Sequence, residues 1–249
     1  WKPAKSDDDA HALFRDAFGW PSDFAARPVQ EAMVDAAKAC TEPSLIILEA
    51  ETGVGKTEAA LAAAQVIAAS VDAQGVYFAA PTMATANGLL ERTMNWARNT
   101  TETGAVSSLY LAHSKNQLSK PFRDLRFRDI NEDADDPSTN GEVVASSWMS
   151  GRRRGLLSNI VVGTVDQVLM LALRQRYSML RHAALAGKII IFDEIHSYGA
   201  YTSDYLATTL EWLAHYGATV IMMSATLPSA EREKLIEAYT GNPVEEHSD

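Results

Sequence analysis

The sequence predicts an α/β domain with a mostly parallel central sheet flanked by helices, built around a phosphate-binding loop. Three observations carry this reading. A glycine loop, Glu49-Ala50-Glu51-Thr52-Gly53-Val54-Gly55-Lys56-Thr57, stands between the apolar run 45–48 and an alanine-rich segment, 57–69, of high helix propensity. Five further short apolar runs, 76–79, 109–112, 160–162, 189–192 and 220–223, read as strands buried on both faces. Helical stretches separate most of them, which is the βαβ rhythm of a doubly wound sheet.

The bulk numbers bound the answer. With 249 residues and 47% hydrophobic content, the chain can bury a core as one large domain or two small ones. A net charge of −10 argues against a globally basic nucleic-acid coat, though not against one local groove. Cys40 is the only cysteine, so an intrachain disulfide is excluded and a reducing cytoplasm is the expected location. Neither a signal peptide nor an apolar stretch long enough to span a membrane is present, so no membrane partner is expected.

Along the chain, residues 1–26 form a lead-in that starts at Trp1, and the first strand, 45–48, feeds the glycine loop. A polyphosphate needs close backbone approach and several N–H donors together, and Gly53 and Gly55 remove the side chains that would block it. The helix after the loop aims its N-terminus at the anion. Lys56 can reach the β- and γ-phosphates of ATP, and the Thr57 hydroxyl can complete an octahedral Mg²⁺ shell. Thr52 and Val54 supply loop backbone.

Thr82 and Thr164 each follow a strand and open a helix, where spare N–H groups could meet a nucleic-acid phosphate. The spacing of Thr164 and Gln167 also suits a capping box, which would make them a helix stop. Between these sites lie His113, which reads as a strand-end histidine, and two basic clusters that read equally as solvated faces. One holds Lys115, Lys120, Arg123, Arg126 and Arg128, offset by Asp124 and Asp129; the other is Arg152-Arg153-Arg154. Segment 131–141 is acidic, contains Pro137 and is nearly devoid of apolar residues, so it is expected to be a mobile surface loop within one domain.

Hydrolysis needs a metal carboxylate and a group that orients water. Asp193-Glu194 follows the run 189–192, and the C-terminal end of such a strand would present Asp193 beside the phosphate loop. Asp193 would hold Mg²⁺ through water, and Glu194 would position or deprotonate the attacking water. No metal-ligand cluster of the zinc type is found.

These motifs resemble the first RecA-like lobe of a superfamily 2 helicase. The glycine loop matches A-x-T-G-x-G-K-T, Asp193-Glu194-Ile195-His196 is similar to the DExH box, and Ser224-Ala225-Thr226 to the S-A-T motif. A narrower resemblance, to the helicase-nuclease of type I CRISPR systems, rests on Arg27-Pro28-Val29-Gln30, Pro81-Thr82-Met83-Ala84-Thr85-Ala86-Asn87, Val162-Gly163-Thr164-Val165-Asp166-Gln167 and Asp193-Glu194-Ile195-His196-Ser197-Tyr198.

The resemblance implies that Gln30 reads adenine, with Phe14, Phe18 or Phe24 stacking on the base. It implies that Thr82, Asn87, Thr164 and Asp166 touch single-stranded DNA, and that His196, Ser224 and Thr226 couple hydrolysis to motion. It divides the chain into a lead-in, 1–26, a lobe, 27–241, and a linker, 242–249. A second RecA-like lobe and a nuclease domain are expected outside the chain, with recruitment by the RNA-guided complex called Cascade. The isolated lobe is then expected to hydrolyse ATP poorly and neither to unwind nor to cut DNA. A nucleotide switch without motor activity, an RNA helicase, and a repair or restriction translocase remain the alternatives.

Overall fold

A computed structural model describes residues 9–102, 105–112, 127–128, 142–146, 154–173 and 178–243. The acidic segment 131–141, His113, Lys115, Lys120, Arg123, Asp124, Arg126, Asp129, Arg152 and Arg153 lie outside them, as do positions 1–8 and 244–249.

All six apolar runs are strands: β1 (Leu45–Glu49), β2 (Gly75–Ala80), β3 (Val106–Ala112), β6 (Ile160–Thr164), β7 (Lys188–Phe192) and β8 (Val220–Ser224). Two more occur among the described residues, β4 (Phe127–Arg128) and β5 (Glu142–Ser146). The eight form one sheet in the order β1-β8-β7-β2-β6-β3-β5-β4, and every pairing is parallel. Parallel neighbours put all the strand C-termini on one edge, so the turns after β1, β2, β6, β7 and β8 face the same side.

Burial follows strand position. Strands β2, β6, β7 and β8 are buried along their full length, whereas β1, at the sheet edge, has four half-buried apolar residues. Gly163 of β6 is required by close approach: a Cβ there would lie 2.3 Å from Tyr77 Oη and 2.8 Å from Ala112 O. That contact lets the Tyr77 hydroxyl donate to Thr164 O at 3.2 Å, tying β2 to the end of β6.

The helices fall into two packing groups. One contains α1 (Ala10–Phe18), α2 (Pro28–Ala39), α3 (Lys56–Val71) and α4 (Met83–Thr100); the other contains α5 (Val165–Leu169), α6 (Ser178–Ala186), α7 (Ala200–His215) and α8 (Ser229–Thr240). Helix α3 packs on α1, α2, α4 and the sheet, and its alanines 59, 60, 62, 63 and 64 are fully buried. Small side chains let this helix be covered on several sides at close range. In the lead-in, Asp9 caps α1 through the Ala12 N–H and Gly19 ends it at φ +64°. Leu13 and Phe14 then pack on Val34 and Ala62.

Lys188 is an exception to the apolar core. It is 6% exposed, and its Nζ donates to Ala184 O at 2.6 Å, at the C-terminal turn of α6. Burial lowers its ammonium from 10.5 to about 8. Between those pH values the unfolded chain binds the extra proton, so the penalty is full below pH 8 and fades as pH rises to 10.5. Lys188→Met is therefore expected to stabilise the fold at pH 7 by up to about 3 kcal/mol in urea unfolding. The gain should shrink as pH approaches 10.5. A loss at pH 7 would mean that the Ala184 hydrogen bond outweighs the cost of burial.

Candidate nucleotide site

The site begins where β1 gives way to the glycine loop. Ala50 N–H donates to Ser224 O at 3.1 Å, which fixes the loop base to β8. Gly53 and Gly55 adopt φ of +84° and +91°, the left-handed region that glycine enters without steric cost. A Cβ on Gly55 would also come within 2.5 Å of Gln30 Nε2. Helix α3 starts at Lys56, so its unpaired N-terminal N–H groups open onto the loop. Lys56 is buried, and its Nζ donates to Ala50 O at 2.6 Å and Glu51 O at 3.3 Å.

A cavity of about 590 Å³ opens over this loop. Its walls bring together residues from distant parts of the chain: Gln30 from α2, Thr52, Gly53, Gly55, Lys56 and Thr57 from the loop and α3, and Asp193 and Glu194 from the end of β7. Gln30 is 2% exposed, and its Oε1 accepts the Arg27 N–H at 3.0 Å. Its Nε2 is thereby left toward Gly55. Arg27 donates through Nη1 to Gly53 O at 2.7 Å, so the start of α2 is bonded directly to the loop.

Of the three aromatics that the sequence leaves open, Phe24 alone lines the cavity. Phe14 is fully buried in the lead-in core, and Phe18 stacks between Phe14 and Trp20 at 5.7 Å and 5.1 Å. Phe24 lines the cavity together with Trp20, their ring centroids 4.1 Å apart. Trp20 is absent from the sequence expectation.

The carboxylates differ in environment. Asp193 is 7% exposed, and its N–H donates to Ala79 O at 2.9 Å. Burial, followed by the neighbouring Glu194 charge, raises its carboxyl to about 6, while Lys56 and Arg92 pull it down. Tyr198 Oη donates to Asp193 O at 2.8 Å and fixes the peptide. Glu194 is left-handed at φ +51° and lines the cavity beside Asp193.

Glu194 Oε2 lies 3.1 Å from His196 Nε2, and His196 Nδ1 lies 3.2 Å from both the Ala225 nitrogen and Ser224 Oγ. An N–H can only donate, so Nδ1 is the acceptor from Ala225 and Nε2 carries the proton toward Glu194. The Ser224 hydroxyl points its own hydrogen at Thr226 O, 2.6 Å away. His196 thus joins Glu194 to the turn after β8.

The other expected residues, Thr82, Asn87, Thr164 and Asp166, are not among those that line the cavity. Thr82 caps α4, its Oγ1 accepting the Thr85 N–H at 3.1 Å, and Thr82 and Asn87 are exposed. Thr164, on the neighbouring strand, is buried, and Asp166 is exposed. The capping box from Thr164 to Gln167 is not formed: Thr164 makes no side-chain cap, and Gln167 is engaged by Arg181 through both its backbone and its side-chain oxygen. The partly buried Arg181 guanidinium claims the amide oxygen that would otherwise fold back. Sequence reasoning also misses Arg92, which pairs with Glu58. A signal existed: Thr85, Gly88, Leu89 and Arg92 all line the cavity and are spaced i, i+3, i+4, i+7 on α4. Among the described residues no helix is long and apolar enough to cross a membrane.

A DEAD/DEAH box helicase family model matches residues 27–235. The chain is 39% identical to the CRISPR-associated nuclease/helicase Cas3 of Streptococcus thermophilus over 241 residues, 96% of this chain and 25% of that protein. Its fold matches the T. fusca Cas3-ATP crystal structure with a TM-score of 0.78 at 31% identity, covering 97% of this chain and 27% of that one. It also matches a chain of a CRISPR RNA-guided surveillance complex, pre-nicking, with a TM-score of 0.59 at 27% identity, covering 88% and 21% of the two chains. The fold is RecA-like on these likenesses. The chain spans about a quarter of the length of the curated relatives it matches.

Proposed function

The chain belongs to the DEAD/DEAH box helicase family, and from that premise we infer that it is the ATP-binding lobe of a motor that moves on single-stranded DNA in CRISPR interference. The observation that carries this reading is the convergence of Gln30, the glycine loop, Lys56, Thr57, Asp193 and Glu194 on one cavity. The donor set fits Mg-ATP: left-handed glycines for close phosphate approach, a cation, a hydroxyl, and a carboxylate across from them. In this reading Gln30 recognises adenine and Trp20 and Phe24 flank the ring, while Thr52 to Gly55 cradle the phosphates.

Lys56 would exchange its loop carbonyls for the β- and γ-phosphates, and Thr57 and, through water, Asp193 would hold Mg²⁺. The metal supplies charge neutralisation on the phosphate oxygens. Glu194 orients the attacking water and takes its proton, with the His196 Nε2–H steadying the carboxylate. His196, Ser224 and Thr226 pass the state of the γ-phosphate to the turn after β8. Thr82, Asn87, Thr164 and Asp166 form the DNA-facing edge, where backbone contacts position a strand without reading its sequence.

The lobe proper is 27–241, with 1–26 as a lead-in and 242–249 leading to a second lobe. That lobe would supply arginines that reach across to the γ-phosphate, and an arginine finger in trans is worth ~10³- to 10⁵-fold in rate. Cascade recruits the parent protein, a nuclease domain elsewhere in it cuts the strand, and the setting is the cytoplasm.

Two experiments test this. Trp20→Ala should weaken ATP binding about 3- to 10-fold by titration calorimetry, the value of one aromatic stack; unchanged affinity would move the base elsewhere. The parent protein should displace streptavidin from biotinylated single-stranded DNA only with ATP. DNA binding without displacement would instead mark a nucleotide switch.

A further inference from the structure

The turn after β8 is held from two sides. His196 accepts its Ala225 N–H on one. On the other stands Glu49, the last residue of β1, which lies opposite Ser224 in the strand register. Glu49 Oε1 accepts the Leu227 N–H at 3.2 Å, and Oε2 accepts from Arg232 Nη2 at 2.6 Å. The same Nη2 also reaches Leu227 O at 3.3 Å, so one carboxylate and one guanidinium close on both polar groups of a single residue. The Arg232 hydrogen bond and the Leu227 N–H hold the Glu49 carboxyl below its usual range.

These bonds connect to the glycine loop without a gap. Ala50 N–H is on Ser224 O, and Ala50 O is the acceptor of Lys56 Nζ. A Lys56 that swings to a phosphate abandons the peptide next to Glu49, and the strain or relief so produced is delivered to a turn that Glu49 and Arg232 already grip. Both side chains are partly exposed, 36% and 41%, so the pair adds little to global stability; its effect is on geometry.

We propose that Glu49 and Arg232 are positioning residues that clamp the 224–227 turn to the base of the phosphate loop, so that nucleotide binding moves the two together. The proposal rests on the reading of the cavity as an ATP site. It extends the coupling path beyond His196, Ser224 and Thr226 to Arg232 and to Glu49, the residue that opens the phosphate loop.

Amide hydrogen exchange on the 249-residue chain, with and without saturating Mg-AMPPNP, tests it. In the wild type, nucleotide should change exchange at Ala225 to Leu227 about fivefold or more, a size readily read as local opening free energy. Arg232→Met and Glu49→Gln should lose that response, with Arg232→Met still binding AMPPNP within about threefold of wild type. Arg232→Lys, which can still reach both oxygens, should keep it; a merely structural role would not separate Lys from Met in this way. An Arg232→Met chain that responds like the wild type, or an Arg232→Lys chain that loses as much as Met, would overturn the clamp. A wild-type chain that binds AMPPNP with no response at 225–227 would overturn it too. Failure of the wild type to bind AMPPNP at all would bring down the ATP-site reading, and the clamp with it.

Discussion

Glu194→Gln is expected to leave ATP affinity within about threefold of wild type while slowing hydrolysis ~10²- to 10⁴-fold, the contribution of a positioned general base. Glutamine has the shape of glutamate, and its side-chain oxygen can still accept from His196 Nε2. The left-handed backbone at 194 is kept in place by its neighbours, since Asp193 N–H is bonded to Ala79 O and Ser197 N–H to Glu194 O. What disappears is basicity alone. Single-turnover hydrolysis beside a binding titration separates the two effects, and a normal hydrolysis rate would remove Glu194 from the role.

Lys56→Ala is expected to fail one step earlier. Two charge-assisted hydrogen bonds to phosphate oxygens are worth about 3 kcal/mol together, so ATP affinity should fall ~100-fold and turnover should be undetectable. The loss spreads to the carboxylates. Lys56 is among the charges that hold the Asp193 carboxyl down against burial, and without it the proton on Asp193 competes harder with a metal near neutral pH. Affinity measured by calorimetry, with a melting curve to confirm folding, gives the answer; an affinity equal to wild type would place the phosphates outside this loop.

The fold was legible because buried parallel strands leave a strong mark: five- to seven-residue elements whose apolar runs survive in the sequence, such as Ile189 to Phe192. Strand β5 escaped because its apolar centre, Val143 to Ala145, is flanked by polar Glu142 and Ser146 beside an acidic stretch. Two-residue β4 carries no periodicity at all. At the site, Lys56 was legible from the glycine loop that opens α3, and Asp193 and Glu194 from their place just after β7, in patterns whose chemistry demands those side chains. A parallel sheet also led to the expectation that Asp193 stands beside the phosphate loop; the strand order that brings them together, with β8 and β7 between β1 and β2, was not legible.

Trp20 and Arg27 were hidden for a different reason. Their placement depends on the path of the lead-in after Gly19, where Ala26 N–H is caught by His11 Nδ1 at 2.8 Å, a tertiary contact with no local signature. Arg181 and Gln167 show the converse: spacing suggested a local cap, and a long-range hydrogen bond took the amide instead.

We infer that this lobe turns ATP hydrolysis into movement on single-stranded DNA. The steady-state ATPase rate of the parent protein, with no polymer, with single-stranded DNA and with RNA of matched sequence, decides this. The predicted result is strong stimulation by DNA, lost in Glu194→Gln. Equal rates in all three conditions would contradict the motor, and stimulation by RNA alone would contradict the DNA substrate, because the 2′-hydroxyl is the difference between the two strands.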